Sequence, residues 1–165
     1  KLNDGQTQNK LSKVFYSISG IYTLSKTNKE LYDTSSLDIV NLLKHIKSFQ
    51  LKNKLFTDQV KSSKSKSSVH KSSMALSAVA KILTLPYLTD EQRESLKSDE
   101  VKELLNAFMD AANTLVKDYN KIGSDMVSYS SSLTATSVVL EAINEFISAA
   151  SSIDGLAESF IKFND

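Results

Sequence analysis

Residues 98–123 read SDEVKELLNAFMDAANTLVKDYNKIG, and in them Val101, Leu104, Leu105, Phe108, Ala112, Leu115, Val116, Tyr119 and Ile122 recur at spacings of three and four. A helix of 3.6 residues per turn gathers residues so spaced onto one face, whereas a strand would need strict alternation. Ser98, Asp99 and Glu100 open the segment, and carboxylates near a helix start favour its dipole. Gly123 is a natural stop, because glycine accepts the left-handed backbone common after helix ends.

The same periodicity extends outward in both directions. Upstream, Thr89-Asp90-Glu91-Gln92 has the spacing of a capping box and starts a short helix ending near Lys97. Before it, a helix is expected from Ser68 to Leu83, with Val69, Ala75, Leu76, Val79, Ile82 and Leu83 facing inward. Pro86 ends it, since the residue before a proline is pushed out of helical conformation. A further helix begins after Ser35 or Ser36, with Asp38 in its first turn; its apolar face is Ile39, Leu42, Leu43, Ile46 and Phe49, running on to Leu55 and Phe56. The first helix is expected over Thr7 to Tyr32 on Leu11, Val14, Phe15, Ile18, Ile21 and Tyr22.

Downstream, Ser124 to Ser152 carries two apolar stripes. One is Leu133, Leu140, Ile143 and Ile147; the other is Val139, Ala142, Phe146, Ala149 and Ile153. A helix apolar on several faces belongs at the centre of a bundle. A short last helix is expected from Leu156 to about Phe163. The expected fold is therefore all-α: a single-domain up-and-down bundle of five to six amphipathic helices over residues 1–165, with an exposed serine- and lysine-rich segment near 61–73.

Composition narrows the function. A chain of 165 residues that is 41% hydrophobic can bury a core, and its four glycines and one proline are too few for an all-β fold of many turns. Without cysteine, disulfides, thiol nucleophiles and thiolate metal sites are excluded. The two histidines, His45 and His70, have no partner at metal-ligand spacing and read as boundary or surface residues. Asp110, Asp118 and Asp125 do not match a calcium loop, and no phosphate-binding or nucleophile motif occurs. No enzymatic activity, cofactor or metal is expected. No stretch approaches the roughly 20 apolar residues that span a bilayer. The sequence opens at Lys1 rather than methionine, which fits either a processed mature protein, such as one that has lost a secretory signal, or a trimmed chain.

Charge is unevenly distributed. Residues 1–81 carry 14 Lys/Arg against 5 Asp/Glu, a balance of +9, while residues 82–165 carry 6 against 14, a balance of −8. Such asymmetry either joins the two halves within one bundle or marks a docking face. The docking residues would be Lys44, Lys47, Lys52, Lys54, Lys61, Lys64 and Lys66, and the partner an acidic protein or an anionic membrane surface. Nucleic acid is not the expected partner, because arginine makes the bidentate contacts there and the single arginine, Arg93, lies in the acidic half.

The aromatic residues of the stripes are expected to pack in the core with tyrosine hydroxyls reaching the surface, Tyr16, Tyr22, Tyr119 and Tyr129 among them. If the bundle instead encloses a ligand, its liners are Phe15, Leu105, Phe108, Met109, Tyr119, Leu133, Leu140 and Phe146. The ligand would be a hydrophobic small molecule such as a fatty acid.

Residues 75–146 resemble the fungal hydrophobic-surface-binding and cell-wall galactomannoprotein family in layout. The likeness rests on Leu88-Thr89-Asp90-Glu91 as a break and helix start, then on Val101, Leu104 and Leu105. Lys117-Asp118-Tyr119-Asn120-Lys121-Ile122-Gly123 continues it, with Leu133 and Leu140 on the following helix. The resemblance implies a secreted or cell-wall-associated helical bundle that binds lipids or coats hydrophobic surfaces. The lysine-rich second helix departs from that family's low-charge, alanine-rich pattern.

Overall fold

The structure, a computed structural model, describes residues 10–61, 63–119 and 133–153. It is an all-α bundle with six α-helices among the described residues: α1 (Leu11–Thr27), α2 (Ile39–Lys47), α3 (Val69–Leu83), α4 (Asp90–Ser95), α5 (Asp99–Tyr119) and α6 (Leu133–Ser151). Single 3-10 turns at Lys29–Leu31 and Thr34–Ser36 lie between α1 and α2. Gly123 and the segment from Leu156 to Phe163 lie outside the described residues.

Most helices start where a side chain satisfies the free amides of the first turn. Asp38 accepts from the Asn41 amide at 3.0 Å, Ser68 from Lys71 at 3.0 Å, and Ser98 from Val101 at 3.3 Å. Thr89 and Gln92 form the complete capping box, with reciprocal bonds of 3.1 and 2.9 Å. Replacing Thr89 with alanine is expected to cost about 1 kcal/mol, a fall of about 3 °C in Tm by thermal melt. Gln92 also donates its buried Nε2 to the carbonyls of Thr34 at 2.7 Å and Leu37 at 3.0 Å, which ties α4 to the start of α2.

The second helix is shorter than its apolar spacing predicts. It ends at Lys47, and Leu55 and Phe56 are buried from a loop instead of from a longer helix. The chain doubles back there: the Leu51 amide donates to the Leu55 carbonyl at 2.8 Å and Gln50 bridges Phe56. Lys54, at φ 73°, makes the left-handed step that the reversal requires. Gln50 Nε2 pins the loop to α5 by donating to the Ala107 carbonyl at 2.8 Å. The first helix likewise stops at Thr27, short of Tyr32.

The centre of the bundle is α3, not the 124–152 segment. α3 meets α1, α2, α5 and α6, most extensively α6 and then α1. Ser72, Ser73, Ala75, Ala78 and Ala80 are buried on it beside Leu76, Val79 and Ile82. Its serines tolerate burial because their hydroxyls donate within the helix, Ser72 to the Ser68 carbonyl at 2.8 Å and Ser73 to Val69 at 2.9 Å. These small side chains let neighbouring helices approach closely. On α6, Leu140 of one expected stripe faces solvent, while Ile143 of that stripe is buried and Ile147 packs against the core.

The core is one cluster drawing on α1, α2, the loop after α2, α3, α5 and α6. At its heart Phe56 stacks on Phe108 with centroids 5.8 Å apart, and Phe108 meets Phe146 edge-on at 6.5 Å. Val101, Leu105, Phe108, Ala112 and Leu115 of α5 are all buried, whereas Val116 is exposed.

Candidate functional site

An open cleft of about 300 Å³ lies where α1, α3 and α6 meet. From α1 come Phe15 and Tyr16; from α3 His70, Ser73, Met74, Ser77 and Lys81; from α6 Val138, Glu141, Ala142 and Glu145. The spacings of three and four within the α3 and α6 sets place each of these on one helix face, and α1 contributes two adjacent aromatic residues. Apolar groups and polar groups therefore share the same cavity, as in small-molecule sites of modest size.

The polar part is organised around Lys81. Its ammonium donates to Glu145 Oε1 at 3.0 Å and to Ser77 Oγ at 2.8 Å, and Ser77 in turn donates to Glu145 Oε2 at 3.0 Å. Phe15 and Tyr22 present their rings to the same ammonium, with centroids 5.7 and 6.0 Å away. The lysine side chain retains 19% of its exposure and the glutamate 36%, so the pair is partly withdrawn from water. The ammonium, the hydroxyl and the carboxylate thus satisfy one another. Among the described residues no group of three or more His, Asp or Glu side chains could hold a metal ion.

The residues expected to line a ligand cavity separate in the structure. Phe15 lines the cleft. Leu105, Phe108 and Phe146 are sealed inside the core, and Met109 is half-buried against it. Leu140, 56% exposed, stands on the surface. The side chains of Tyr119 and Leu133 lie outside the described residues, as does Tyr129. Tyr16, expected in the core, is 64% exposed at the cleft.

The lysine-rich stretch is partly neutralised from within the fold. Lys44 pairs with Glu100 at 2.5 Å, Lys54 with Asp110 at 3.7 Å and Lys71 with Asp58 at 3.5 Å. Lys47, Lys52, Lys61 and Lys66 make no ion pair among the described residues, and Lys64 has an interaction of its own. His45 packs edge-on against Phe49, with ring centroids 5.3 Å apart.

The cleft residues could have been found from charge placement. Lys81 sits in a helix of buried small and apolar residues, and Glu141 and Glu145 are the only charged residues of α6. Charges isolated in apolar helices need a partner or water, and the lysine and one glutamate found each other. Compared with family models, characterised proteins and solved structures, the chain finds no match.

Proposed function

We propose that this chain is a non-catalytic, extracellular binding protein for a small hydrophobic ligand of the fatty-acid size class. The ligand lies in the cleft between α1, α3 and α6 rather than among the core phenylalanines. The observation that carries this reading is the cavity of about 300 Å³ in which Phe15, Met74, Val138 and Ala142 stand beside Ser73, Ser77, Lys81 and Glu145. The first group supplies apolar contact and the second fixes orientation. The extracellular location follows from the family resemblance of residues 75–146.

Neutral n-alkanols of increasing length test it without involving headgroup charge. Affinity is expected to rise about fourfold per added methylene until the cleft is filled, the equivalent of about 0.8 kcal/mol each. Phe15→Ala should weaken every member of the series. Native mass spectrometry of gently purified protein adds a second readout, a stoichiometric apolar ligand that denaturation releases. A clean unliganded mass, together with no uptake of any alkanol, would remove this reading.

The exposed lysines support a second one. Lys47, Lys52, Lys61 and Lys66, left without ion pairs among the described residues, could dock an acidic protein or an anionic membrane surface. Binding of that kind weakens steeply with ionic strength, whereas uptake of an alkanol is nearly indifferent to it.

A further inference from the structure

The charges lining the cleft select the headgroup of its ligand. The charged groups are Lys81, Glu141 and Glu145; His70 and the Tyr16 phenol of α1 are the other titratable side chains there. The single lysine is committed, held by Glu145 at 3.0 Å and by Ser77 at 2.8 Å, and covered by the rings of Phe15 and Tyr22. Glu145 is committed as well, because both of its oxygens accept hydrogen bonds from that pair. Glu141, one turn before Glu145 on α6, is exposed and makes no ion pair among the described residues. Counting the lysine against the two glutamates, the cleft carries one carboxylate in excess.

An incoming carboxylate would meet that excess charge and could use Lys81 only by displacing Glu145, which would leave a partly withdrawn carboxylate without its cation. A cation meets the opposite situation. Tyr16 is largely exposed at the cleft and packs edge-on to Phe15, with centroids 5.3 Å apart, so part of its ring is open to a ligand. An aromatic face beside a carboxylate is the combination that holds an alkylated ammonium.

Resting on the cleft reading above, we propose that the ligand is an amphiphile with a cationic ammonium headgroup, placed between Glu141 and Tyr16, and an apolar tail along Met74, Val138 and Ala142.

Three probes of equal chain length test this: decyltrimethylammonium, decanol and decanoate, titrated by calorimetry below their aggregation concentrations. The ammonium is expected to bind about tenfold tighter than decanoate, with decanol between them. Glu141→Gln, a change on an exposed helix face, should remove most of the preference for the ammonium over decanoate. Decanoate binding as tightly as the ammonium would overturn the headgroup assignment and leave the cleft reading standing. The same holds for a preference that survives Glu141→Gln. Failure of all three probes to bind would overturn both.

Discussion

Replacing Phe108 with alanine is expected to destabilise the protein by about 3–5 kcal/mol, the usual cost of truncating a buried phenylalanine. The ring is fully buried between Phe56 of the loop after α2 and Phe146 of α6. Its removal leaves a cavity bounded by elements that cannot all move inward together, because the loop is pinned to α5 by Gln50 and closed on itself at Leu51 and Leu55. Against a total stability of roughly 5–15 kcal/mol, such a loss is large enough to read from a urea transition. A near-wild-type midpoint would mean that Phe108 lines open space. The same measurement therefore separates a filled core from an internal ligand cavity, the two roles that the periodicity of α5 permits equally. The proposed ligand site predicts a different signature: in the unliganded protein, changes at the half-exposed cleft should move affinity more than stability.

Helices were legible wherever local chemistry and periodicity agreed. Ser68 to Leu83, the capping box at Thr89 and Gln92, and the buried face of α5 needed only spacing and caps, and the structure has all three. The end of α2 was not legible, because no glycine or proline punctuates residues 47–60 and Leu55 and Phe56 prolong the apolar pattern. The reversal instead uses a lysine in the left-handed region, a conformation that its residue type does not advertise. The identity of the central helix was hidden for another reason. Serines and alanines on α3 register as polar or neutral in an apolar pattern, yet serines bonded to their own helix carbonyls are buried with their hydroxyls satisfied and bring neighbours close. The cleft was the least legible feature, since it depends on three helices meeting; its one sequence trace is the isolation of Lys81, Glu141 and Glu145 in otherwise apolar surroundings.

The opposed charges of the two halves serve the fold in part. Lys44, Lys54 and Lys81 from the basic half reach Glu100, Asp110 and Glu145 in the acidic half. The first two pairs are about half exposed on both sides and contribute little to stability individually. Their effect is on arrangement, setting α2 and the loop after it against α5. Lys81 and Glu145 are more withdrawn and occupy the cleft, where the same complementarity determines what charge a ligand can bring.

Asp58 should be the most consequential charged residue for stability, although it lies in a loop. Helix α1 starts at Leu11 with no capping side chain beside it. Asp58, 46 residues beyond Ser12, takes that role: its carbonyl accepts from the Leu11 amide and its Oδ1 from the Ser12 amide, each at 2.8 Å. Lys71, in the first turn of α3, pairs with the same carboxylate at 3.5 Å. Burial pushes the Asp58 carboxyl upward, but the Ser12 amide and Lys71 together outweigh it and hold the group below its ordinary value. A carboxyl held low when folded binds fewer protons there than in the unfolded chain, so its stabilisation is complete above the ordinary aspartate value near about 3.9. It is lost as the pH falls through the lowered folded value. Asp58→Ala is expected to cost about 2 kcal/mol at neutral pH, the upper end for a helix cap. Asp58→Asn keeps an acceptor for the Ser12 amide and should recover most of that loss, while removing the attraction to Lys71 and the titration. Urea midpoints from pH 7 to pH 2 should therefore bring wild type and Asp58→Asn together only below pH 4. Parallel acid profiles for the two proteins would mean that Asp58 titrates alike in the folded and unfolded chain, and that its charge adds nothing to the tie between α1, the loop and α3.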